Sequence, residues 1–340
     1  MKKLLALLLT FVFILSLASC GAGDNSDKLP NKSAEELIAE GNYLDAYRVL
    51  LAKGDKNSNI KLDDFIFLPK KTVETNYRGN KATCVFTWDS EGKPLKAAAS
   101  TGNSSYEIIY TYGENTYSYS RDGVIGEKFT LNEAGQVVHL DYYRTDGEIN
   151  STEYTYDEKG NLIREVETIP GNDYPSDYTY TYDENGRLIK AKHEYGHSYD
   201  EESYTYDEAG RLVKETTTYS YDDDFAEKIY TYNDKGQLIK KEYKYNDDGV
   251  VETSGVTTYT YNENGNPATM FIEYYDGETY LYEWTYDRYG NLTKEVKTNT
   301  YKNGDKRVNM IEHEEYTAFY APKLHHVMDE VLKSYQPELD

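Results

Sequence analysis

Carboxylates are the most numerous side chains in this chain that could do chemistry, with 60 Asp and Glu residues against 37 Lys and Arg residues. Two carboxylates that face each other across a groove at about 5–9.5 Å hydrolyse glycosidic bonds. An acidic chain supplies such pairs by chance, however, and no Gly-x-Ser-x-Gly, phosphate-loop or zinc-peptidase motif accompanies them. We therefore predict a protein without catalytic activity, and keep a carbohydrate-active hydrolase as the alternative.

Metal ligands are the second kind of candidate. His193 and His197 have a spacing that brings two ligands together on a helix, but they fall in a segment with strand and loop character. The adjacent His325 and His326 would diverge on a helix. The acidic run 222–224 lacks the surrounding loop of an EF-hand and is typical of an exposed hairpin tip. The sequence therefore predicts neither a metal site nor a cofactor.

Aromatic side chains form the third candidate site, because tyrosine accounts for 38 of the 340 residues. A short phrase carries many of them, as in YTYDEKGNL at 154–162, YTYDENGRL at 180–188 and YTYDEAGRL at 204–212. More divergent copies of the phrase include FTWDSEGKP at 86–94 and WTYDRYGNL at 284–292. The aromatic positions predicted to form one row are Trp88, Tyr154, Tyr156, Tyr180, Tyr182, Tyr204, Tyr206, Tyr230, Tyr232, Tyr259, Tyr261, Trp284 and Tyr286.

This aromatic row has two interpretations. Aromatic rings beside carboxylates can stack on the apolar face of a sugar, and Trp284 is then the best exposed platform. Alternatively, the rings pack on one another and on aliphatic neighbours, with the tyrosine hydroxyls left in water. Both interpretations remain open from the sequence.

Each copy of the phrase also contains a turn that should position the aromatic residues. The turn glycines are Gly92, Gly135, Gly160, Gly186, Gly210, Gly236, Gly265 and Gly290, mostly 24 to 29 residues apart. Asp157, two intervening residues and Gly160 fit a type I turn closed by a glycine bulge. The expected register pairs Tyr154 with Arg164. Aromatic rings and the aliphatic stems of basic side chains should therefore share one face of the sheet, and threonines should occupy the other face. Pro94 and Pro267 are predicted to cause local bends or broken pairing.

The fold class that follows is mainly β: an extended, twisted antiparallel meander of repeated hairpins over 72–320. A helical hairpin is predicted over 33–68, with a capping box that begins at Ser33. It is similar, weakly, to one tetratricopeptide-type repeat. A C-terminal helix is predicted over 321–340. Each helical part should cover one open edge of the sheet.

The first nineteen residues have the pattern of a secretion signal, with two lysines followed by an apolar run. Leu17-Ala18-Ser19-Cys20 resembles a bacterial lipobox, which implies that Cys20 carries lipid and that 20–32 is a flexible tether. We expect an extracytoplasmic protein anchored to the cell surface, with Cys84 buried and unpaired.

The protein is strongly acidic. Removal of the two lysines of the signal changes the formal charge from -23 to -25, and this negative charge argues against nucleic acid as a partner.

The frame Tyr-x-Tyr-Asp-x-x-Gly-Arg/Asn-Leu resembles the YD repeat of RHS proteins, bacterial shell proteins related to animal teneurins. The resemblance covers roughly 85–295 and implies hairpins that wind into a spiral or hollow shell. The toxin-type members have many more repeats and a toxin behind them, so this chain resembles a short lipoprotein form without a toxin domain. The function expected is a non-catalytic structural or adhesive module, with a polysaccharide or a surface protein as its ligand.

Overall fold

The computed structural model describes residues 29–53, 60–90, 92–220, 224–247 and 250–320. Within these ranges, two helices, α1 (Ala34–Ala39) and α2 (Tyr43–Lys53), precede a 3₁₀ turn (Leu62–Asp64) and a single sheet of twenty strands. None of the helices in the described ranges is both long and apolar enough to cross a membrane.

The twenty strands follow one another along the chain with short turns between them. Their bounds are β1 (Phe65–Thr75), β2 (Lys81–Trp88), β3 (Pro94–Thr101), β4 (Ser104–Tyr112), β5 (Thr116–Arg121), β6 (Val124–Leu131), β7 (Val137–Tyr143), β8 (Ile149–Tyr156), β9 (Leu162–Thr168), β10 (Ser176–Tyr182), β11 (Leu188–Tyr195), β12 (Ser198–Tyr206), β13 (Leu212–Tyr219), β14 (Phe225–Tyr232), β15 (Leu238–Asp247), β16 (Val250–Tyr261), β17 (Pro267–Tyr274), β18 (Thr279–Tyr286), β19 (Leu292–Thr300) and β20 (Lys306–Tyr320).

The sheet is closed, because every strand pairs with its neighbours in the chain and β1 also pairs with β20. Phe65 lies opposite Tyr320 and Thr75 opposite Met310. The predicted open, extended meander is therefore wrong: the described strands form a closed antiparallel barrel. Closure provides partners for the backbone N–H and C=O groups that would be unpaired at the two edges of an open sheet. The strands that close it lie outside the repeated phrase, which is why the repeat pattern did not indicate closure.

The capping role predicted for the C-terminal helix is also wrong, because β1 and β20 leave no open edge in the described sheet to be covered. The segment 321–340, where that helix was predicted, lies outside the described residues.

The two N-terminal helices lie at the end of the barrel where β1 begins. The Ser33 side chain accepts a hydrogen bond from the Glu36 amide, and the Glu36 carboxylate accepts one from the Ser33 amide, so the predicted capping box is present. Leu37, Ala46 and Val49 are buried in one cluster with Phe65. The helices therefore pack on the start of β1 rather than along a sheet edge.

The repeated turns have the geometry that their sequence indicates. In the turn at 157–161, the Asp157 amide donates to the Asn161 carbonyl at 2.9 Å and the Gly160 amide donates to the Asp157 carbonyl at 3.0 Å. Gly160 has φ +85°, a conformation that side chains with a Cβ rarely adopt. The Asp157 carboxylate also accepts the Lys159 and Asn161 amides, which fixes the turn from within.

A β-bulge follows each of these turns and changes the predicted register. Tyr156 lies opposite Leu162 as expected, but Thr155 pairs with Arg164 and Tyr154 with Glu165. The predicted pairing of Tyr154 with Arg164 is therefore wrong, because the bulge places one extra residue in the second strand. The consequence is that Arg164 lies beside Thr155, and Glu165 lies beside the Tyr154 ring.

The two prolines do not interrupt the sheet. Pro94 lies opposite Trp88 and Pro267 opposite Tyr261, each with the same bulge as in the leucine-containing repeats. Of the two predicted effects, broken pairing is therefore wrong, and the local irregularity is a register shift at the bulge. A proline is tolerated there because it is the first residue of its strand, beside the bulge.

The two faces of the sheet differ in chemistry. We call the side that carries Tyr154 and Tyr156 the aromatic face, and the side that carries Thr155 the threonine face. Thr155 is exposed, whereas Tyr154 and Tyr156 are partly buried. On the threonine face, basic residues pair with acids on the next strand, as Lys190 does with Glu201 at 2.6 Å. These exposed pairs contribute little individually to stability, and they make the threonine face a charged surface.

Candidate functional site

The second aromatic residue of several repeats is held by a hydrogen bond to the neighbouring hairpin, which we call the tyrosine–carbonyl bond. The Tyr182 hydroxyl donates to the Leu162 carbonyl at 2.8 Å, and Leu162 begins the second strand of the preceding hairpin. The same bond joins Tyr112 to Pro94, Tyr156 to Val137, Tyr206 to Leu188, Tyr232 to Leu212, Tyr261 to Leu238 and Tyr316 to Leu292.

Trp88 takes the same position in its repeat and makes the equivalent contact with an indole donor. Its Nε1 donates to the Pro69 carbonyl in β1 at 3.1 Å. The expectation that tyrosine tips would lie in water is therefore wrong for these positions, because the hydroxyls join one hairpin to the next. Burial raises the pKa of Tyr182 and of Tyr232, which keeps both hydroxyls protonated as donors at neutral pH.

The first aromatic residue of several repeats has a carboxylate partner on the same face. The Tyr230 hydroxyl donates to Glu215 at 2.7 Å, and Lys228 contacts the other oxygen of Glu215 at 2.6 Å. Glu215 is only 4% exposed, so both donors are needed to compensate its burial. Burial and then the charge of Glu215 raise the pKa of Tyr230. Burial, together with the nearby Lys228, lowers the pKa of Lys241.

The predicted aromatic row is therefore present on one face but is not gathered into one site. Its members follow successive hairpins around the barrel. Most of their polar atoms are engaged in contacts within the protein, as the tyrosine–carbonyl bonds illustrate. Trp284 lies in β18, which is separated from the closing strand β20 by β19. Its Nε1 donates to Glu295 at 2.6 Å, and its ring stacks on Tyr282 at 6.1 Å between centroids.

A cavity of about 270 Å³ lies beside Trp284 on the aromatic face, and we call it the closure groove. Its lining residues are Glu74, Tyr282, Glu295, Lys297, Asn309 and Ile311. They come from β1, β18, β19 and β20, which are consecutive strands around the closed sheet. The groove therefore exists only because β1 pairs with β20.

The strand register arranges the groove in rows across the sheet, since residues directly opposite each other share a face. One row joins Trp284, Glu295, Ile311 and Glu74. The next row towards the β19–β20 turn joins Tyr282, Lys297 and Asn309, and the third joins Tyr280, Asn299 and Arg307.

The electrostatics of the groove are mixed. Burial raises the pKa of Glu74, so this carboxyl is more easily protonated than an exposed one. The Lys297 ammonium lies 5.2 Å from the centre of the Tyr282 ring and 5.3 Å from that of Tyr280, within the range of a cation–π contact. The cavity is lined by one flat ring, that of Tyr282, together with hydrogen-bond donors and acceptors.

The repeated phrase contains Trp284 but not the residues across the sheet from it. Glu74, Asn309 and Arg307 lie in strands without the repeated phrase, so no repeat position indicated their role. A weaker signal was available in β20, where polar and apolar residues alternate from Arg307 to Met310 as in a half-buried strand.

The predicted absence of a metal site can be compared only with the part of the chain that the structure describes. No group of three or more potential ligands occurs there. His193 stacks on Tyr178 at 3.9 Å and contacts Asp200 at 3.3 Å, whereas His197 lies against Tyr174. His325, His326 and most of the acidic run 222–224 lie outside the described residues.

The structure describes one of the two cysteines, Cys84. Cys84 is free and 2% exposed, and burial raises its pKa to about 11, so its thiol is unreactive at neutral pH. Cys20, the predicted lipid attachment point, lies outside the described residues.

Comparison with known proteins places the repeat in a family. The family model described as the teneurin YD-shell matches residues 101–304, more than half of the chain. No curated protein sequence matches the chain.

Two solved structures are similar over part of the fold. A porin-like protein from Bacteroides uniformis ATCC 8492 is 9% identical with a TM-score of 0.36, over 74% of this chain and 97% of that one. TcdB2-TccC3-TEV is 17% identical with a TM-score of 0.31, over 63% of this chain and 11% of that one. At these TM-scores neither likeness supports a statement about function.

The tyrosine–carbonyl bond predicts a stability difference between two Tyr→Phe variants. Tyr232→Phe removes the hydroxyl that donates to Leu212, so the free energy of unfolding should fall by about 1 kcal/mol. Tyr275→Phe is the control, because Tyr275 is 77% exposed and its variant should unfold as the wild type does. Urea unfolding followed by circular dichroism measures both, and equal midpoints for the two variants would contradict the structural role.

Proposed function

Because the chain belongs to the teneurin YD-shell family, we propose that it acts outside the cytoplasm as a lipid-anchored β-shell that binds a glycan without catalysis. The observation that carries this proposal is the closure groove, where the Tyr282 ring lies with carboxylate, amide and ammonium groups, and where Glu295 also accepts the Trp284 indole hydrogen bond. Ligand sites generally combine apolar walls with a few polar groups that fix orientation.

The location outside the cytoplasm is supported by the N-terminal sequence. Cys20 follows Leu-Ala-Ser at the end of an apolar run, as in a bacterial lipobox. A formal charge of -23 over 340 residues is compatible with a solvated surface on an exported protein. An anchored binder would hold its ligand close to the cell.

The anchor is tested by Cys20→Ser in the full chain, followed by cell fractionation. We expect the wild type in the detergent-soluble membrane fraction and the variant released from it, because a serine provides no thiol for acylation. Cys84→Ser is the matched control and should stay with the membrane, since Cys84 is buried in the sheet. A Cys20→Ser variant that remains membrane-bound would show that the anchor is something else.

A carbohydrate-active hydrolase is the second candidate, and one observation favours it. Glu74 and Glu295 both lie next to Ile311 on the aromatic face, on opposite sides of β20. Two strand spacings separate their backbones by roughly 9–10 Å, near the carboxylate separation of inverting glycosidases. The raised pKa of Glu74 is also what a general acid needs.

One experiment separates the two candidates. The full chain in detergent is incubated with neutral oligosaccharides of glucan, xylan and mannan type, and both binding and the release of reducing ends are measured. We expect binding without release of reducing ends. Release that disappears in Glu74→Gln would instead establish the hydrolase, and the absence of binding to every probe would contradict glycan recognition.

A further inference from the structure

A second cavity, of about 300 Å³, lies at the end of the barrel where α2 packs, and we call it the helix-side pocket. Its walls come from α2, β1, β19, β20 and the turn that joins β18 to β19. None of its described lining residues borders the closure groove. The residues that give the pocket its chemistry are Phe67, Asp287, Tyr289, His313, Glu315 and Tyr316.

Three aromatic rings line this pocket and are held by their neighbours. Phe67 and Tyr289 are stacked, with 6.3 Å between the ring centres and 11° between the ring planes. Phe67 also meets the ring of Tyr47 in α2 edge-on, with 4.9 Å between the ring centres. Tyr316 is the third ring, and its hydroxyl donates to the Leu292 carbonyl. These contacts fix the rings in place without a ligand.

Tyr289 is a departure from the repeated phrase. It directly precedes the turn glycine Gly290, and at the same position the more regular copies have Lys159, Asn185, Ala209 and Lys235. The turn forms with each of those residues, so its geometry does not require a ring there. The aromatic side chain is therefore specific to the turn that borders the pocket.

Asp287 borders the pocket with neutral partners only. Its Oδ1 accepts the backbone amides of Tyr289 and Asn291 at 2.8 Å and 2.9 Å, and its Oδ2 accepts the Asn291 side-chain amide at 2.9 Å. In the equivalent turn of another repeat, by contrast, Asp183 forms an ion pair with Arg187 at 2.6 Å. The negative charge of Asp287 is therefore not balanced by a basic side chain.

Glu315 is a second carboxylate at the pocket, and its backbone is strained. Its φ is +56°, although it lies within the long strand β20. Asp122 also has a positive φ, but it lies in the β5–β6 turn, where aspartate tolerates this conformation. The Glu315 carboxylate has no hydrogen bond or ion pair among the described residues. Strained residues cluster at ligand sites, where the strain positions a side chain.

The pocket therefore has negative charge without compensation. The described lining contains neither lysine nor arginine, and burial lowers the pKa of His313, so its imidazole is neutral at pH 7. The faces of aromatic rings also carry negative partial charge and attract cations. Arg288 on the same turn already lies over the Tyr289 ring, 4.9 Å from its centre. Carboxylates and rings thus favour the same kind of ligand, a cation.

We propose that the helix-side pocket binds an organic ammonium group, carried either by a small free amine or by a lysine side chain of a peptide. The carbon atoms around the nitrogen contact the rings of Tyr289 and Tyr316, and Glu315 and Asp287 balance the charge. The volume of about 300 Å³ lies at the lower end of the range of small-molecule sites, which suits a ligand of this size. This site does not depend on the glycan-binding function proposed above.

The test titrates the full chain in detergent by calorimetry with choline and with acetyl-lysine amide. The neutral control is the analogue of choline in which a tert-butyl group replaces the trimethylammonium group. Glu315→Gln and Tyr289→Ala alter the pocket. Their matched controls are Glu314→Gln, because Glu314 pairs with Lys71 and does not line the pocket, and Asn185→Ala, at the turn position of Tyr289 in another repeat.

We expect at least one ammonium probe to bind and the neutral analogue not to bind. Glu315→Gln and Tyr289→Ala should each bind that probe about tenfold more weakly, whereas the two control variants bind as the wild type does. Circular dichroism verifies that every variant is folded. Binding of choline alone supports a free amine as the ligand, and binding of the lysine probe alone supports a peptide. The proposal is overturned if neither ammonium probe binds, if the neutral analogue binds equally well, or if Glu315→Gln has wild-type affinity.

Discussion

The pairing of β1 with β20 is the contact on which the rest of this structure depends. It converts a run of hairpins into a closed barrel, and it satisfies the backbone groups that two open edges would expose. It also places Glu74 opposite Ile311 and, through β20, close to Glu295 and Trp284. The proposed ligand site and the closure of the fold are therefore consequences of the same strand pairing.

The tyrosine–carbonyl bonds explain why this chain uses tyrosine where many sheets use leucine or valine. Ladder hydrogen bonds join the two strands of a hairpin, and the Tyr182 and Tyr232 hydroxyls add a further bond to the hairpin before. Phenylalanine would fill the same space but could not make this bond. Most tyrosines of the repeated phrase are thus explained by structure, and the Trp284 indole likewise donates to a carboxylate on the neighbouring strand.

The sequence predicted those features that depend on residues close together in the chain. The turn at Gly160, the two faces of each hairpin and the relation to YD-repeat proteins follow from the repeated phrase, and the family match confirms the last of these. The bulge that moves Arg164 to the threonine face was not predicted, since it depends on how the strand twists beyond the turn. Closure was not predicted because Phe65 and Tyr320 are far apart in sequence and lie outside the repeat.

Hydrogen exchange of the β1 amides tests closure most directly. Ile66, Phe67 and Leu68 pair with β20 and lie beyond the part of β1 that pairs with β2. If the barrel is closed, the amides of this segment that point towards β20 exchange as slowly as those in the central repeats. Exchange at the rate of an unpaired segment, while the repeats at 154–240 remain protected, would show that the sheet is open and that the groove does not form.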